Sequence, residues 1–389
     1  MLRSLKKIHL LITRRPLLLI LFVFLIVQLI LFRYVGVFTG LEAEKYVTQG
    51  NLLYETGSLS DTKYVFYLPI ILLVYCCRLL HAPYALAAII QIALSGLSLF
   101  YFYKLASRLG NRNVAFYSSL LLAVFFPLQA WNLFLYSDSI FISLTVIYTY
   151  FVYSQGDKGM RGTVRILLFL LLLLFTRPHG LLFIPPTIFY LLFRRQSKAS
   201  LASGLALCLL LLGSMYFLLN MAFTGGGDMD AMKPFIEEHI ICFVPLKPQG
   251  NYTLDIIKTA SPVKDIFYYV FHNPSHFLRL MALKLLSFFN MTRSYYSSSH
   301  NIYLVVFLLP VYLLSIPGIL FLVRAARNFA LFLVALLVLY PLGATFQCDD
   351  WHSRFTMVVI PYFILLACLG AYQIFTNRFL RRRKNFSTV

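Results

Sequence analysis

Charged residues are scarce in this chain: they make up 12% of its 389 residues, and only 14 residues are acidic. By contrast, 60% of the residues are apolar. Apolar runs long enough to cross a bilayer recur along the chain, which a water-soluble core of this size would not need. The composition therefore excludes a soluble globular protein and predicts an all-α, polytopic membrane protein.

Cysteine is also scarce, and none of the six cysteines has the spacing of metal ligands. The cysteines therefore indicate no chemistry by themselves. The adjacent carboxylates Asp349 and Asp350 leave a divalent metal open as an alternative, although two such groups without further ligands make a poor cage. The net charge of +20 is spread over the ends of apolar runs and forms no single aromatic-interleaved patch, so no nucleic-acid partner is expected.

The basic residues instead indicate which loops are cytoplasmic, because Lys and Arg accumulate in short loops on that side. Of the 34 basic residues, 21 fall in six clusters: 3–15, 104–112, 158–165, 194–198, 324–327 and 378–384. All six are cytoplasmic at once only if the apolar run 64–80 does not cross the membrane as a separate span. We therefore predict cytoplasmic termini, an outer interfacial helix at 64–80, and ten spans. These are 16–34, 83–103, 114–131, 139–153, 166–176, 180–193, 200–220, 302–323, 329–345 and 355–375.

Two predicted outer segments, 35–83 and 221–301, are longer than simple connections between helices, so we expect the functional residues there. Within the second segment, residues 277–289 have the mixed apolar and basic pattern of an amphipathic helix at the interface. The topology puts Cys242 and Cys348 on the same outer side, where the compartment permits a disulfide. Residues 1–389 are expected to form a single transmembrane domain.

A series of short motifs follows the first predicted span. They are Glu-Ala-Glu-Lys-Tyr at 42–46, Tyr-Leu-Pro at 67–69, Tyr-Ser-Asp-Ser at 136–139, Arg-Pro-His-Gly at 177–180, Asn-Pro at 273–274, and Arg354 with Pro361. In this order, residues 16–375 resemble the GT-C superfamily of lipid-phosphate-sugar glycosyltransferases, notably its dolichyl-phosphate-mannose mannosyltransferase and aminoarabinose transferase group. That superfamily usually has Asp, often followed by Glu, where this chain has Glu-Ala-Glu. The choice between Glu42 and Glu44 therefore stays open.

The resemblance implies site residues that suit the displacement of a lipid phosphate from a sugar. Such a reaction needs a carboxylate to take or orient the proton of the acceptor hydroxyl, and cations to stabilise the leaving phosphate. Glu42 or Glu44 is the expected catalytic carboxylate. Arg177 and Arg354 are the expected phosphate ligands, since guanidinium groups pair with phosphate oxygens in a bidentate way. The other expected substrate-binding residues are Tyr46, Asp138 and His179.

Each of these residues also has a structural interpretation. A carboxylate in an outer loop, such as Glu42, is often a solvated charge. Asp138 lies in a Ser-Asp-Ser sequence that suits the cap of the helix beginning there. Arg177 and Arg354 would serve equally as interfacial anchors whose charges reach the lipid headgroups, and His179 fits a structural role.

The resemblance implies transfer of a sugar from a polyprenyl-phosphate carrier to an extracytoplasmic glycan, lipid or protein, with inversion at the sugar and without a metal or other cofactor. We expect a multi-pass protein surrounded by membrane lipids, in a bacterial plasma membrane rather than the endoplasmic reticulum. Two alternatives stay open: a transporter or flippase of lipid-linked saccharides, and a non-catalytic assembly subunit with the same fold. A transporter should have inverted repeats and ionisable residues at mid-membrane, and the sequence has neither.

Overall fold

The computed structural model describes residues 15–155, 158–194, 210, 213–214, 216–220, 232–242, 253–349 and 352–386. These residues contain helices and loops but no β-strand. Their extended pairings are two isolated bridges, between Phe38 and Phe134 and between Ile241 and Asp349. The protein is an all-α polytopic membrane protein, as its composition predicts.

The longer helices of the described residues are numbered here in chain order. They are α1 (Pro16–Val35), α2 (Glu42–Thr56), α3 (Leu68–Leu79), α4 (Ala85–Leu109), α5 (Arg112–Val124), α6 (Ser137–Gln155), α7 (Gly159–Thr176), α8 (Ile184–Arg194), α9 (Pro262–His272), α10 (Pro274–Asn290), α11 (Ser298–Ala325), α12 (Arg327–Ala344) and α13 (Ile360–Phe386). Short 3-10 turns at Thr62–Tyr67, Ala130–Leu133, Pro178–Phe183 and Thr356–Val358 lie in the connections.

Within the described part of the chain, six helices are long and apolar enough to cross a membrane: α1, Thr62–Leu79, α4, α7, α11 and α12. The bent pair of α5 with Phe126–Leu133, which turns by 62°, gives a seventh if it counts as one span. Large apolar side chains on α1 and α11 point away from the bundle, and Leu29 and Val306 are about two-thirds exposed. Lipid tails would cover such surfaces.

Nine of the ten predicted spans coincide with helices or broken helices of the described chain, and the tenth, 200–220, lies mostly outside it. The span predicted at 166–176 is longer than expected, because α7 begins at Gly159. Arg161 and Arg165 continue the helix, since arginine is a good helix former whose charge reaches water along its flexible stem. The span predicted at 180–193 is a 3-10 turn followed by the 11-residue helix α8.

Residues 42–79 fold as two helices, α2 and α3, that pack side by side. A Cβ atom at Gly50 of α2 would collide with the side chain of Val74 of α3, so the close approach depends on glycine at this position. The Tyr46 ring of α2 lies 5.2 Å from the ring of Tyr67, which directly precedes α3. The α3 helix alone has 12 residues and is about 18 Å long, which is shorter than a bilayer core of about 30 Å. Together with the 3-10 turn before it, however, the stretch Thr62–Leu79 is long and apolar enough to cross a membrane. The interfacial position of residues 64–80 therefore stays a prediction.

Reporter fusions test this topology. A reporter fused after Leu80 is expected to behave as external, and one after Lys384 as cytoplasmic, because all the basic clusters then face the cytoplasm. A fusion after Arg108 provides the matched cytoplasmic control. A cytoplasmic signal at Leu80 or an external one at Lys384 would contradict the assignment of both outer segments.

The described part of the second outer segment contains α9, α10 and residues 232–242. Helix α10 begins with Pro274 directly after Asn273 and includes the amphipathic stretch predicted at 277–289. Cys242 and Cys348 form a disulfide with Cα atoms 5.1 Å apart, so the predicted pairing is confirmed. The disulfide joins the second outer segment to the loop between α12 and α13.

Helix α13 is held in place by a close crossing with α11. A Cβ atom at Gly318 would collide with the carbonyl of Leu366, and one at Gly370 with the carbonyl of Leu314. Small residues of this kind let membrane helices approach backbone to backbone. The crossing packs α13, which follows Arg354 closely in the chain, against α11.

Candidate active site

Four of the residues predicted from sequence meet at one end of the helix bundle. Glu42 is the first residue of α2, Asp138 lies in the first turn of α6, and Arg177 directly follows α7. Arg354 lies in the loop that leads into α13. Four segments far apart in the sequence therefore contribute one cluster of ionisable side chains.

The basic clusters lie at the opposite ends of the helices that carry this site. The cluster at 104–112 joins α4 to α5, and the cluster at 158–165 opens α7, whose other end reaches Arg177. The residues at 324–327 join α11 to α12, whose far end leads to Arg354. If the basic ends face the cytoplasm, as the distribution of positive charge indicates, the site faces the other side.

Glu42 is held by contacts on both oxygens. Its Oε2 atom forms an ion pair with Arg354, while its Oε1 atom lies 2.6 Å from Lys45 Nζ and accepts a hydrogen bond of 2.8 Å from the Tyr46 hydroxyl. The backbone N–H of Glu42 donates to the Tyr136 hydroxyl at 3.2 Å. The position and orientation of this carboxylate are therefore set by residues from three segments.

A second ion pair lies beside the first. Asp138 pairs with Arg177, and its other oxygen lies 3.9 Å from Arg354. The guanidinium groups of Arg177 and Arg354 lie 5.6 and 5.1 Å from the centre of the Phe355 ring, on which the His179 ring also stacks at 4.7 Å. The two arginines thus lie close together, as predicted, while a shared cavity that binds the carrier phosphate stays a prediction.

The electrostatic environment of Glu42 favours its ionised form. Burial by itself would raise the pKa of this carboxyl group, but Arg354, followed by Lys45 and Arg177, outweighs burial and holds the pKa well below its usual range. Burial lowers the pKa of Lys45, and the neighbouring Glu42 carboxylate opposes that shift. Glu42 is therefore a carboxylate that cations keep charged in a partly dry site.

Both Glu42 and Arg354 follow a residue in an unusual backbone conformation. Leu41 has a φ of 54° and Ser353 a φ of 51°, in the left-handed region that residues other than glycine rarely adopt. Such conformations persist where the surroundings enforce them, and they concentrate at functional sites. Each one directly precedes a charged side chain of the cluster.

The connection that precedes Asp138 is fixed by buried amides. Gln129, at the break after α5, accepts hydrogen bonds from Gln28 and from Asn132, both at 3.2 Å. Ser139 donates to Asn132 at 2.6 Å, and Gln91 donates to the carbonyl of Asn132 at 3.0 Å. Because unsatisfied polar groups are costly in a membrane core, this network gives the broken helix one arrangement.

The remaining predicted site residues are placed as follows. Glu44 is exposed, because residues two apart on a helix face different directions. Tyr46 is fully buried, and its hydroxyl contacts Glu42. The Asp138 carboxylate is only 1% exposed and pairs with Arg177. The carboxylate that could have capped α6 is therefore engaged by the arginine. His179 is buried against Phe355.

Some residues of the site were missed in the sequence. Lys45 stands three residues after Glu42, a spacing that brings side chains together on a helix and that would have indicated the contact. Tyr136 belongs to the predicted Tyr-Ser-Asp-Ser motif, but it was given no role there. Phe355 and the ion pair of Arg293 with Asp349 had no comparable signal. Their roles depend on segments that only the fold brings together.

Within the described ranges, no three or more His, Cys, Asp or Glu side chains are grouped so as to hold a metal ion. Asp349, one of the two carboxylates considered for a metal, pairs with Arg293 instead. Asp350 lies outside the described residues.

The comparison with known families finds a match over part of the chain. Residues 71–221 match the model of the family described as dolichyl-phosphate-mannose-protein mannosyltransferase. The match covers less than half of the chain; it includes Asp138, Arg177 and His179, whereas Glu42 precedes it and Arg354 follows it. No curated protein matches the chain. The chain is thus similar to a family of mannosyltransferases over a range that begins within α3 and includes α4 to α8.

Proposed function

We propose that the protein is a membrane glycosyltransferase of GT-C type that moves a sugar from a polyprenyl-phosphate carrier to an extracytoplasmic glycan, lipid or protein. The observation that carries this proposal is the pair of carboxylate–arginine contacts, Glu42 with Arg354 and Asp138 with Arg177. The match to a mannosyltransferase family over residues 71–221 supports it. We place the protein in a bacterial plasma membrane.

In this reaction Glu42 takes the proton of the acceptor hydroxyl. The hydroxyl oxygen bonds to the anomeric carbon of the sugar, and the bond to the carrier oxygen breaks, so that the polyprenyl phosphate leaves with the electron pair. Arg177 and Arg354 stabilise the negative charge on the leaving phosphate, which is the electrostatic contribution that such a reaction needs most. Attack opposite to the leaving group inverts the configuration of the sugar.

The charges of the cluster suit an anionic donor. Arg177, Arg354 and Lys45 supply three cations, whereas Glu42 and Asp138 supply two carboxylates. The excess positive charge attracts a phosphate, and the partly buried location strengthens that attraction. A snorkelling anchor needs no buried carboxylate partner, which makes the anchor interpretation of the two arginines the weaker one.

Donor binding also changes the state of Glu42. A phosphate that engages Arg354 competes with the Glu42 carboxylate for the same guanidinium group. Loss of that contact removes the strongest of the charges that depress the pKa of Glu42, and the carboxylate becomes a better proton acceptor. Lys45 and Tyr46 keep the freed carboxylate in place.

Replacing Lys45 by methionine tests the charge on Glu42. The pKa of Glu42 is depressed by cations that include Lys45, so their partial removal raises it. We expect the acid limb of the pH–rate profile to move to higher pH, because the base is then protonated at pH values where the wild-type carboxylate is still ionised. Lys258→Met, an exposed lysine on the outer segment, is the matched control. An acid limb that does not move in Lys45→Met would show that the charge of Lys45 does not affect the pKa of the catalytic base.

The proposed function is tested by mass spectrometry of surface glycans and polyprenyl-phosphate sugars in cells with and without the gene. Loss of one sugar from a glycan together with accumulation of the corresponding polyprenyl-phosphate sugar supports transfer. Accumulation of a complete lipid-linked saccharide on the cytoplasmic leaflet would favour a flippase. Restoration of the glycan by a variant in which both Glu42 and Glu44 are glutamine would favour the non-catalytic subunit.

A further inference from the structure

Arg293, which follows α10, is a buried cation with several hydrogen-bond acceptors. Its side chain is 2% exposed and pairs with Asp349, whose side chain is 5% exposed. The same Nη2 atom donates to Ser353 Oγ at 2.7 Å. Its Nη1 atom donates to the carbonyl of Thr292 at 3.1 Å. One guanidinium group therefore joins the end of α10 to two points of the loop that carries Arg354.

Ser353 is the residue in this loop that needs support. It is buried, and its φ of 51° lies in the left-handed region, which a residue with a Cβ atom occupies only where its surroundings enforce it. The hydrogen bond from Arg293 holds the serine side chain in this conformation. Because Arg354 is the next residue, the backbone at Ser353 sets the direction in which the Arg354 guanidinium leaves the chain.

Asp349 anchors the other end of the contact. Its N–H donates to the carbonyl of Ile240 at 2.7 Å, and its carbonyl accepts from the N–H of Cys242 at 2.8 Å. The Cys242–Cys348 disulfide lies directly beside this bridge. The carboxylate of Asp349 also accepts from Ser287 Oγ of α10 at 3.4 Å. The aspartate is thus fixed by covalent and hydrogen-bonded contacts from two outer elements.

We propose that Arg293 and Asp349 are positioning residues that hold Ser353 in its left-handed conformation and thereby aim Arg354 at Glu42. This proposal rests on the proposed transferase function for its catalytic consequence. A buried ion pair is a poor source of net stability, because desolvation offsets most of the attraction between its charges. Precise placement of the loop is a better reason for burying two charges here.

The test combines catalysis with an activity-independent readout. Ser353→Ala removes the hydrogen bond but keeps the Cβ atom, and we expect kcat/KM for the lipid-phosphate sugar to fall by about ten- to hundredfold, since small misplacements of reacting groups have effects of this size. The acid limb of the pH–rate profile should also move to higher pH, because a displaced Arg354 depresses the pKa of Glu42 less. Ser294→Ala, an exposed serine next to Arg293, is the matched control.

Two further variants keep the test informative if a large change disturbs folding. Arg293→Met removes the charge and the hydrogen bonds, whereas Arg293→Lys keeps the charge but lacks the planar fork that reaches both acceptors. The kcat/KM of Arg293→Lys should therefore lie between that of the wild type and that of Ser353→Ala or Arg293→Met. Ser353→Gly removes the hydrogen bond but relieves the strained φ. We expect it to lose activity, because the glycine backbone no longer fixes the direction of Arg354.

Thermal unfolding of Arg293→Lys, Arg354→Gln and the double variant supplies the readout that does not require transfer. Arg293 and Arg354 are far apart in the sequence, so if Arg293 acts on Arg354 through Ser353, the two changes are not additive in stability. If the stability changes are not additive but the wild type transfers no sugar, the positioning proposal is supported and the proposed function is refuted. A wild type that transfers sugar, with additive unfolding and an unmoved acid limb in Ser353→Ala, would overturn the positioning proposal alone.

Discussion

Replacement of Glu42 by glutamine is expected to lower the rate of sugar transfer by about 10²- to 10⁴-fold, the usual contribution of a general base. The amide keeps the shape of the side chain but cannot accept a proton. It also loses the ion pair with Arg354 and the contact with Lys45. The measurement is transfer from a purified polyprenyl-phosphate sugar by protein whose fold has been verified by thermal unfolding.

The neighbouring acid Glu44 provides the matched control for this variant. It is exposed on the same helix, so Glu44→Gln should retain most of the activity. Glu42→Asp keeps the charge but shortens the side chain, and we expect partial loss because the carboxylate no longer reaches its partners fully. Full activity in Glu42→Gln with loss in Glu44→Gln would transfer the catalytic role to Glu44, and full activity in both would refute the carboxylate assignment.

Replacement of Arg354 by alanine is expected to weaken binding of polyprenyl phosphate by about ten- to hundredfold, the value of a hydrogen-bonded contact to a charged group. Arg177→Ala should have a similar effect, since both guanidinium groups lie on the Phe355 ring beside Asp138. The measurement is equilibrium binding of polyprenyl phosphate to the purified protein in nanodiscs, which is independent of turnover.

Stability has to be followed in the same experiment, because removal of one partner leaves a buried carboxylate uncompensated. Arg354→Lys keeps a positive charge beside Glu42 while losing bidentate geometry, and it should bind the donor with intermediate affinity. If both alanine variants fold and bind polyprenyl phosphate like the wild type, the arginines are structural groups. The carrier phosphate then has another site.

Much of the fold could be predicted from the sequence because the bilayer imposes local rules. Nine predicted spans coincide with helices or broken helices, since an apolar run of sufficient length indicates a helix wherever it occurs. Boundaries were less predictable. The start of α7 at Gly159 depends on Arg161 and Arg165, which continue the helix. The 62° bend after Val124 depends on packing around Gln129.

The candidate site was predictable only in part. The motif order indicated Glu42, Asp138, Arg177, His179 and Arg354 as a set. It left the choice between Glu42 and Glu44 open, and the structure places Glu42 in the cluster and Glu44 on an exposed face. Phe355 and Arg293 gave no signal, because an aromatic or basic residue beside a membrane has many possible positions before the chain is folded.

Composition and local patterns along the chain were enough to predict an all-α membrane protein and the positions of most of its helices. They also gave the clustering of the basic residues at the ends of apolar runs. The pairing of Arg354 with Glu42, which lies 312 residues earlier, and that of Arg177 with Asp138 emerged only from the packed structure. The energy of an ion pair depends on distance and burial, and neither is defined until the helices have packed.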